Sequence, residues 1–447
     1  MEKVIIVGAG LCGTLLALRM AQRGYEVVVY ERRPDQRKAD FVGGRSINLA
    51  LSNRGLRALD MVGVKEEILK DCIPMHGRMI HSLGGETWNS PYSGRDQDYI
   101  NSVSREELNM SLLEEADKFK NLSVYFDVKV NTVDIENAEI KFTDKDGNVK
   151  TDNAAIVIGT DGAGSVVRRS LMGQTTKLLF NYSQDFLRHG YKELSIAPAH
   201  GGDFKIAKNA LHIWPRGQFM IIALPNLDGS FTVTMFHPYD GEYGFNSLTS
   251  EAAIRDCFET QYPGLIKYMP NYIQEYKENP VGTLGTIRCY PWQAYGKTLV
   301  MGDASHAIVP FYGQGMNAAF EDVYVFNQTL DEYEGDWNKV FESFQDRRKA
   351  DADAIADLAV DNFYEMRDHV DDEAFKEKRK LEMKLEQEFE GYYSKYSMVT
   401  FKEELSYSEA KKKGRKQDQM LLEMCKDKAH ESLSLKEINS KINQLIS

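Results

Sequence analysis

Val4-Ile5-Ile6-Val7 is an unbroken apolar run, the pattern of a strand buried on both faces. Gly8-Ala9-Gly10-Leu11-Cys12-Gly13 follows at once, and an apolar helical pattern follows that. A second run, Val27-Val28-Val29-Tyr30, ends in Glu31. The order predicts strand, glycine turn, helix and strand, the opening of a parallel βαβ unit. A basic loop comes next, then a predicted helix over 53–69. Ser104 with Glu107 forms a capping box that starts another helix, reaching about residue 119. Strands are predicted over 124–133 and 138–142, with Asp144-Lys145-Asp146-Gly147 as a turn after the second. Residues 154–159 read as one more buried strand, which ends at Thr160-Asp161-Gly162-Ala163-Gly164.

From about 185 to 285 the pattern becomes a set of short strands, over 191–196, 210–214, 219–224 and 230–237. Pro215-Arg216-Gly217 and Asn226-Leu227-Asp228-Gly229 act as turns between the last three. Residues 298–302 return to the buried-strand pattern, and a helix follows over 314–333. Beyond 336 the chain reads mainly helical and highly charged, with 366–384 expected as a solvated amphipathic stretch. The predicted fold class is α/β. A Rossmann-like dinucleotide domain spans 1–180 and 286–335. It is interrupted by an antiparallel-sheet domain over 181–285 and followed by a C-terminal helical region over 336–447, expected to cap the active site.

Bulk composition narrows the partners. A chain of 447 residues has room for two or three domains. The net charge of −12, from 67 acidic and 55 basic residues, argues against nucleic acid. Cys12, Cys72, Cys257, Cys289 and Cys425 are scattered and form no CxxC pair. They read as reduced thiols in a cytoplasmic protein, with neither disulfides nor a metal site. No leader is expected before the first strand, and no uncharged apolar run has membrane-spanning length.

The glycine turn carries the first chemistry. Its glycines let the backbone turn sharply and approach a pyrophosphate, and the helix N-terminus supplies free N–H groups. Glu31, with Arg32 beside it, stands at the spacing of an acid that accepts from a ribose. A later segment, Gly302-Asp303-Ala304-Ser305-His306-Ala307, precedes Pro310-Phe311-Tyr312-Gly313-Gln314-Gly315-Met316-Asn317. Gly313 and Gly315 let backbone N–H groups approach a planar ring, and Gly315, Met316 and Asn317 open a helix. Asp303 has a second reading as a helix cap. His306 is expected to be structural rather than a base.

In order and spacing, these three motifs resemble those of the class A flavin-dependent aromatic hydroxylases. The resemblance implies FAD on the first fingerprint, assigned to Gly8, Gly10, Cys12, Gly13, Glu31 and Arg32. It places Asp303 on the ribityl chain and Asp161 in a motif that faces both FAD and incoming NADPH. The late helix would then turn its positive end toward the flavin, at Gly315, Met316 and Asn317. No second GxGxxG occurs, which fits NADPH docking only transiently.

Further segments narrow the resemblance to the kynurenine 3-monooxygenase family, over almost the whole chain from Lys3 to about Ala410. They are Gly44-Arg45-Ser46-Ile47-Asn48-Leu49-Ala50-Leu51-Ser52, Met75-His76-Gly77-Arg78-Met79-Ile80-His81, Leu211-His212-Ile213-Trp214-Pro215 and Tyr396-Ser397-Met398-Val399-Thr400-Phe401. Mapped by these motifs, the substrate-carboxylate contacts fall on Arg78 and Tyr396, with Tyr92 and Asn362 nearby. Met220, Ile222, Phe236 and Phe311 match an apolar lining. Arg105 matches a flavin-contacting arginine, and Ala50 and Val130 match the adenosine side. Read from the residues alone, Arg78 is either an anion site or half of a structural salt bridge. The two tyrosines could equally be packed aromatics.

The resemblance implies hydroxylation of L-kynurenine at ring position 3 with NADPH and O2, in tryptophan degradation towards quinolinate and NAD. The flavin would carry the oxygen as a C4a-hydroperoxide, so no protein nucleophile and no metal are expected. The alternative is a hydroxylase of the same class acting on anthranilate or a hydroxybenzoate. A flavin-bearing scaffold protein using its helical tail is a reading of another class. Eukaryotic members carry a hydrophobic C-terminal membrane segment, whereas this tail is charged, as expected of the bacterial type without an anchor. The oligomeric state stays open, a homodimer included.

Overall fold

A computed structural model describes residues 1–38, 48–368 and 373–446. Gly44-Arg45-Ser46-Ile47, quoted above, lies outside the described residues. The first strand, Lys3–Val7, is the centre of a six-stranded sheet. It pairs in parallel with Glu26–Tyr30 on one side and Ile156–Gly159 on the other. Thr298–Val300 adds to Ile156–Gly159, also in parallel, so the chain returns to this sheet after a long excursion. Helices and the small antiparallel sheet of Lys129–Asp134, Glu139–Thr143 and Val149–Asn153 pack on it, which is why these strands read as continuous apolar runs: Val4, Ile5, Ile6, Val157 and Leu299 are fully buried.

Two of the expected elements are split. The helix expected over 53–69 is two, Asn53–Met61 and Lys65–Lys70. Gly63 takes φ +80 between them, and the N–H groups of Gly63 and Val64 donate back to Asp60 and Leu59, a helix stop that apolar periodicity hides. The strand expected over 124–133 is also two, Leu122–Tyr125 and Lys129–Asp134. Asp127 turns the chain between them at φ 56, and its N–H donates to the Arg33 carbonyl. The expected N-cap forms, with the Ser104 side chain accepting from the Glu107 N–H.

The second large sheet has seven strands, in the order Gly282–Tyr290, Asn181–Ile196, Phe231–Pro238, Phe219–Pro225, Leu211–Arg216, Gly77–His81 and Thr87–Pro91. It is antiparallel except for one pair. Leu211–Arg216 runs parallel to Gly77–His81, which arrives from far outside 181–285. Alternation sends its side chains to two faces. Ile221, Ala223, Val233 and Met235 pack under the helices Glu251–Gln261, Pro263–Ile266 and Tyr272–Glu278. Met220 and Phe236 face Phe311 and the C-terminal helices. The three helices were absent from the sequence expectation, which saw only strands there.

The C-terminal region is helical as expected, through Trp337–Asp368, Glu373–Glu388, Lys395–Thr400, Tyr407–Lys426 and Leu435–Ile446. Its expected solvated stretch over 366–384 is corrected. Lys378, Leu381 and Glu382 are buried. Lys378 pairs with Glu382 at 3.4 Å and with Asp418 at 3.0 Å, so a charged helix face is turned inward against oppositely charged groups.

Candidate active site

The glycine turn gives each glycine a separate reason. Gly8 takes φ +102, and a Cβ on Gly13 would lie 2.0 Å from the Gly8 carbonyl oxygen and 2.4 Å from Thr160 Oγ1. Gly13 therefore permits the helix Leu11–Gln22 to press on the strand end. A Cβ on Gly10 would meet nothing within 4 Å. Gly10 caps that helix, whose first turn contains no acid, so its free N–H groups and positive end face open space. This cradle fits a pyrophosphate. Glu31 braces it: Oε2 accepts from the Ala9 N–H at 2.8 Å and Oε1 from the Arg33 N–H at 2.9 Å. Arg32 is exposed, and Val130 is buried on the strand Lys129–Asp134.

A cavity of 650 Å³ runs from this turn to Tyr396. At the near end it is lined by Gly10, Cys12, Ala50, Arg105, Asp303, Gly315 and Met316. At the far end it is lined by Arg78, Tyr92, Met220, Ile222, Phe236, Phe311 and Tyr396. Fourteen of the residues assigned from sequence thus meet in one space. Gly8, Gly13, Glu31, Arg32, Val130, Asp161, Asn317 and Asn362 do not line it. Asp161 caps the helix Val166–Met172, accepting from Ser165 Oγ at 2.5 Å and the Val166 N–H at 2.6 Å, while Gly162, Ala163 and Gly164 behind it reach the cavity. Asn317 accepts from the Ser52 N–H and donates to the Ala50 and Gly313 carbonyls, so it sets the wall from behind. Asn362 donates to the Phe311 carbonyl at 2.6 Å.

The late motif is fixed by a buried ion cluster. His306 Nε2 lies 2.5 Å from Asp322 Oδ2, which also accepts from the Gly302 N–H, and Arg348 donates to Oδ1. His306 is thereby structural, as expected. Asp303, exposed at the start of the helix Asp303–His306, faces the cavity. Burial raises the Cys12 thiol well above its usual value, so it stays protonated and is no nucleophile.

Aromatic rings build the far end. Tyr396 stacks between Tyr92, at 5.4 Å between ring centres, and Tyr312, at 5.5 Å. Arg78 lies over the Tyr396 and Tyr92 rings. Arg78 Nε and the hydroxyls of Tyr92 and Tyr312 are buried without a hydrogen-bond partner. Burial pushes both of these phenols up, so they remain donors. No carboxylate among the described residues pairs with Arg78, which disposes of the structural salt bridge. Three donors with nothing to receive them, beside an apolar wall, suit a carboxylate on an aromatic body. Tyr312 was missed by the sequence reading although it adjoins Phe311, and Leu224 was missed although it follows Met220 and Ile222 in alternation. Among the described residues no cluster suits a metal ion, and no helix is long and apolar enough to cross a membrane.

Comparison with known proteins agrees with this geometry. A family model described as an FAD binding domain matches residues 1–182 and 280–359. A kynurenine 3-monooxygenase of Dictyostelium discoideum is 43% identical, over 95% of this chain and 93% of its own. One from Myxococcus xanthus is 44% identical, over 90% and 86%. Among solved structures, 2-methyl-3-hydroxypyridine-5-carboxylic acid oxygenase superposes with a TM-score of 0.66 at 18% identity, covering 83% of this chain and 94% of that one. A p-nitrophenol 4-monooxygenase from Pseudomonas putida gives 0.65 at 19%, covering 85% and 93%; these two share the fold. With identity above 40% along nearly its whole length and an FAD-binding core, the chain belongs to the kynurenine 3-monooxygenase family of FAD-dependent flavoprotein monooxygenases.

Proposed function

We propose that this enzyme hydroxylates L-kynurenine at ring position 3, consuming NADPH and O2. The observation that carries the reading is the group of orphaned donors on Arg78, Tyr92 and Tyr312 at one end of an apolar cavity. The dinucleotide cradle lies at the other end. FAD held along this cavity would supply the redox chemistry, acceptance of hydride and activation of O2. The chain's own residues do the rest. Arg78 and Tyr92 receive the α-carboxylate and set the direction of the substrate. Met220, Ile222, Phe236 and Phe311 hold the aryl ring and keep water away. Gly10, Ala50, Arg105, Asp303, Gly315 and Met316 hold the cofactor, and the start of the helix Gly315–Tyr333 presents its positive end to the cavity.

The five cysteines are free thiols, which supports the cytoplasm as the place of action. The test is NADPH oxidation and product mass with and without L-kynurenine. Oxidation slow alone, accelerated by L-kynurenine and matched by 3-hydroxykynurenine is the expected result. Equal stimulation and hydroxylation of anthranilate or 4-hydroxybenzoate would favour another aromatic acid as substrate. No stimulation by any aromatic acid would favour a scaffold role.

A further inference from the structure

The two tyrosines beside Arg78 are each held by an arginine from the opposite side of the interface between the C-terminal helices and the rest of the chain. Tyr396 lies on the helix Lys395–Thr400, six residues long and too short to hold itself. Arg54, from the helix Asn53–Met61, closes the C-terminal end of that helix. Its Nε donates to the Val399 carbonyl at 2.8 Å, and Nη2 reaches the carbonyls of Lys402 at 3.3 Å and Leu405 at 2.5 Å. A cation there also meets the negative end of the helix. Arg54 is fully buried, lies 4.0 Å from the Tyr407 ring centre, and is anchored by Glu321 at 2.7 Å.

Tyr92 shows the reverse arrangement. It follows the strand Thr87–Pro91, and Arg379 reaches it from the helix Glu373–Glu388. Arg379 Nη2 donates to the carbonyls of Pro91 at 3.0 Å and Tyr92 at 2.6 Å, while Nη1 is fixed by Glu382 at 3.1 Å. Neither arginine lines the cavity. Both grip backbone carbonyls, Arg379 that of Tyr92 itself and Arg54 those just beyond Tyr396, so what they fix is the backbone of the segments that carry the tyrosines. Pairing with Glu321 and Glu382 would satisfy their charges; the carbonyl contacts tie them to these two segments in particular.

We infer that Arg54 and Arg379 are positioning residues for recognition of the substrate carboxylate, acting through Tyr396 and Tyr92. The inference rests on the reading in which Arg78 and its flanking tyrosines receive that carboxylate. A displacement of about 1 Å at such a site is enough to cost up to a hundredfold.

The test compares L-kynurenine with kynuramine, the same aryl ketone amine without the α-carboxylate. Binding is titrated by flavin absorbance in the holoenzyme, after FAD occupancy and thermal unfolding have been measured. Arg54→Lys and Arg379→Gln should each weaken L-kynurenine binding about tenfold or more, and kynuramine binding less than about threefold. Arg379→Lys keeps the charge but loses the fork, and should recover part of the loss. Equal losses for both ligands, or an unchanged L-kynurenine Kd, would overturn the inference. Should Arg54→Lys fail to fold, Arg379→Gln and its partial rescue decide alone. Arg78→Ala is measured alongside. If it shows no loss selective for the carboxylate ligand, the reading of Arg78 falls. If it does and the positioning variants do not, only the present inference falls.

Discussion

The Arg78 guanidinium stands 4.6 Å from the centre of the Tyr396 ring, a cation resting on a π face with no carboxylate beneath it. Tyr92 offers a second face at 5.2 Å. Ring faces hold the guanidinium in place, and its Nε has no partner. The charge is therefore held ready for an anion, and the two tyrosines fix the plane in which that anion must lie.

Arg78→Ala should weaken L-kynurenine binding about ten- to hundredfold, the roughly 1.5–3 kcal/mol of a charge-assisted hydrogen bond. Arg78→Lys keeps the charge, loses the fork, and should recover only part. FAD content should not change in either. Flavin absorbance titration with occupancy measured first gives the answer, and Arg78→Ala binding like the parent refutes the assignment.

The glycine turn separates two tests that look alike in sequence. Gly10→Val projects into open space at an extended backbone, φ −76 and ψ 178, so the protein should fold and lose FAD. Gly13→Val collides with the Gly8 carbonyl and should damage folding itself. Yellow colour, FAD released on denaturation, and the far-ultraviolet circular dichroism of both variants distinguish the outcomes. Full FAD occupancy in Gly10→Val would show that the pyrophosphate lies elsewhere.

What the sequence made legible was periodic or local. Continuous apolar runs marked the parallel strands, and glycine spacing marked the cradle. The far end of the cavity was legible by residue but not by arrangement. Arg78 reaches it because its strand pairs with Leu211–Arg216, more than a hundred residues away, and no local pattern encodes that register. Polar residues near the cofactor showed where they stand but not whom they bind. Glu31, Asp161 and Asn317 all hold backbone N–H groups of the loops that shape the site. The charged face around Lys378 and Glu382 read as solvated because a salt-bridged interior has the same composition as a wet surface.

His237 supplies a pH dependence with a definite sign. It lies on the strand Phe231–Pro238 of the second sheet, with Nδ1 2.8 Å from the Tyr243 carbonyl oxygen and Nε2 2.9 Å from the Tyr262 hydroxyl. The neutral ring satisfies both, donating from Nδ1 and accepting at Nε2. Burial pushes its pKa from 6.5 down to about 3. The unfolded chain therefore binds a proton that the folded one refuses. The stabilisation is complete above pH 6.5 and is lost as pH falls towards 3, by about 1.4 kcal/mol per pH unit within that window. Urea unfolding from pH 7 to 4.5 should show a steeper loss in the parent than in His237→Gln. Identical slopes would remove His237 as a source.

Tyr92→Phe should move stability and binding in opposite directions. The Tyr92 hydroxyl is fully buried and has no partner, and a neutral polar group in that state costs about 1–3 kcal/mol. Removing it leaves the stack on Tyr396 intact, since the ring is retained. The substrate-free variant should therefore unfold at higher urea than the parent. The same change deletes a donor to the substrate carboxylate, so L-kynurenine binding should weaken roughly tenfold, about 1.5 kcal/mol. Groups kept for a ligand show this opposition, because the folded chain bears their desolvation until the ligand arrives. A hydroxyl that merely fills space would lose stability and leave binding alone. Unfolding midpoints and substrate titration of one preparation decide between them, and a fall in stability without a fall in affinity would remove Tyr92 from the site.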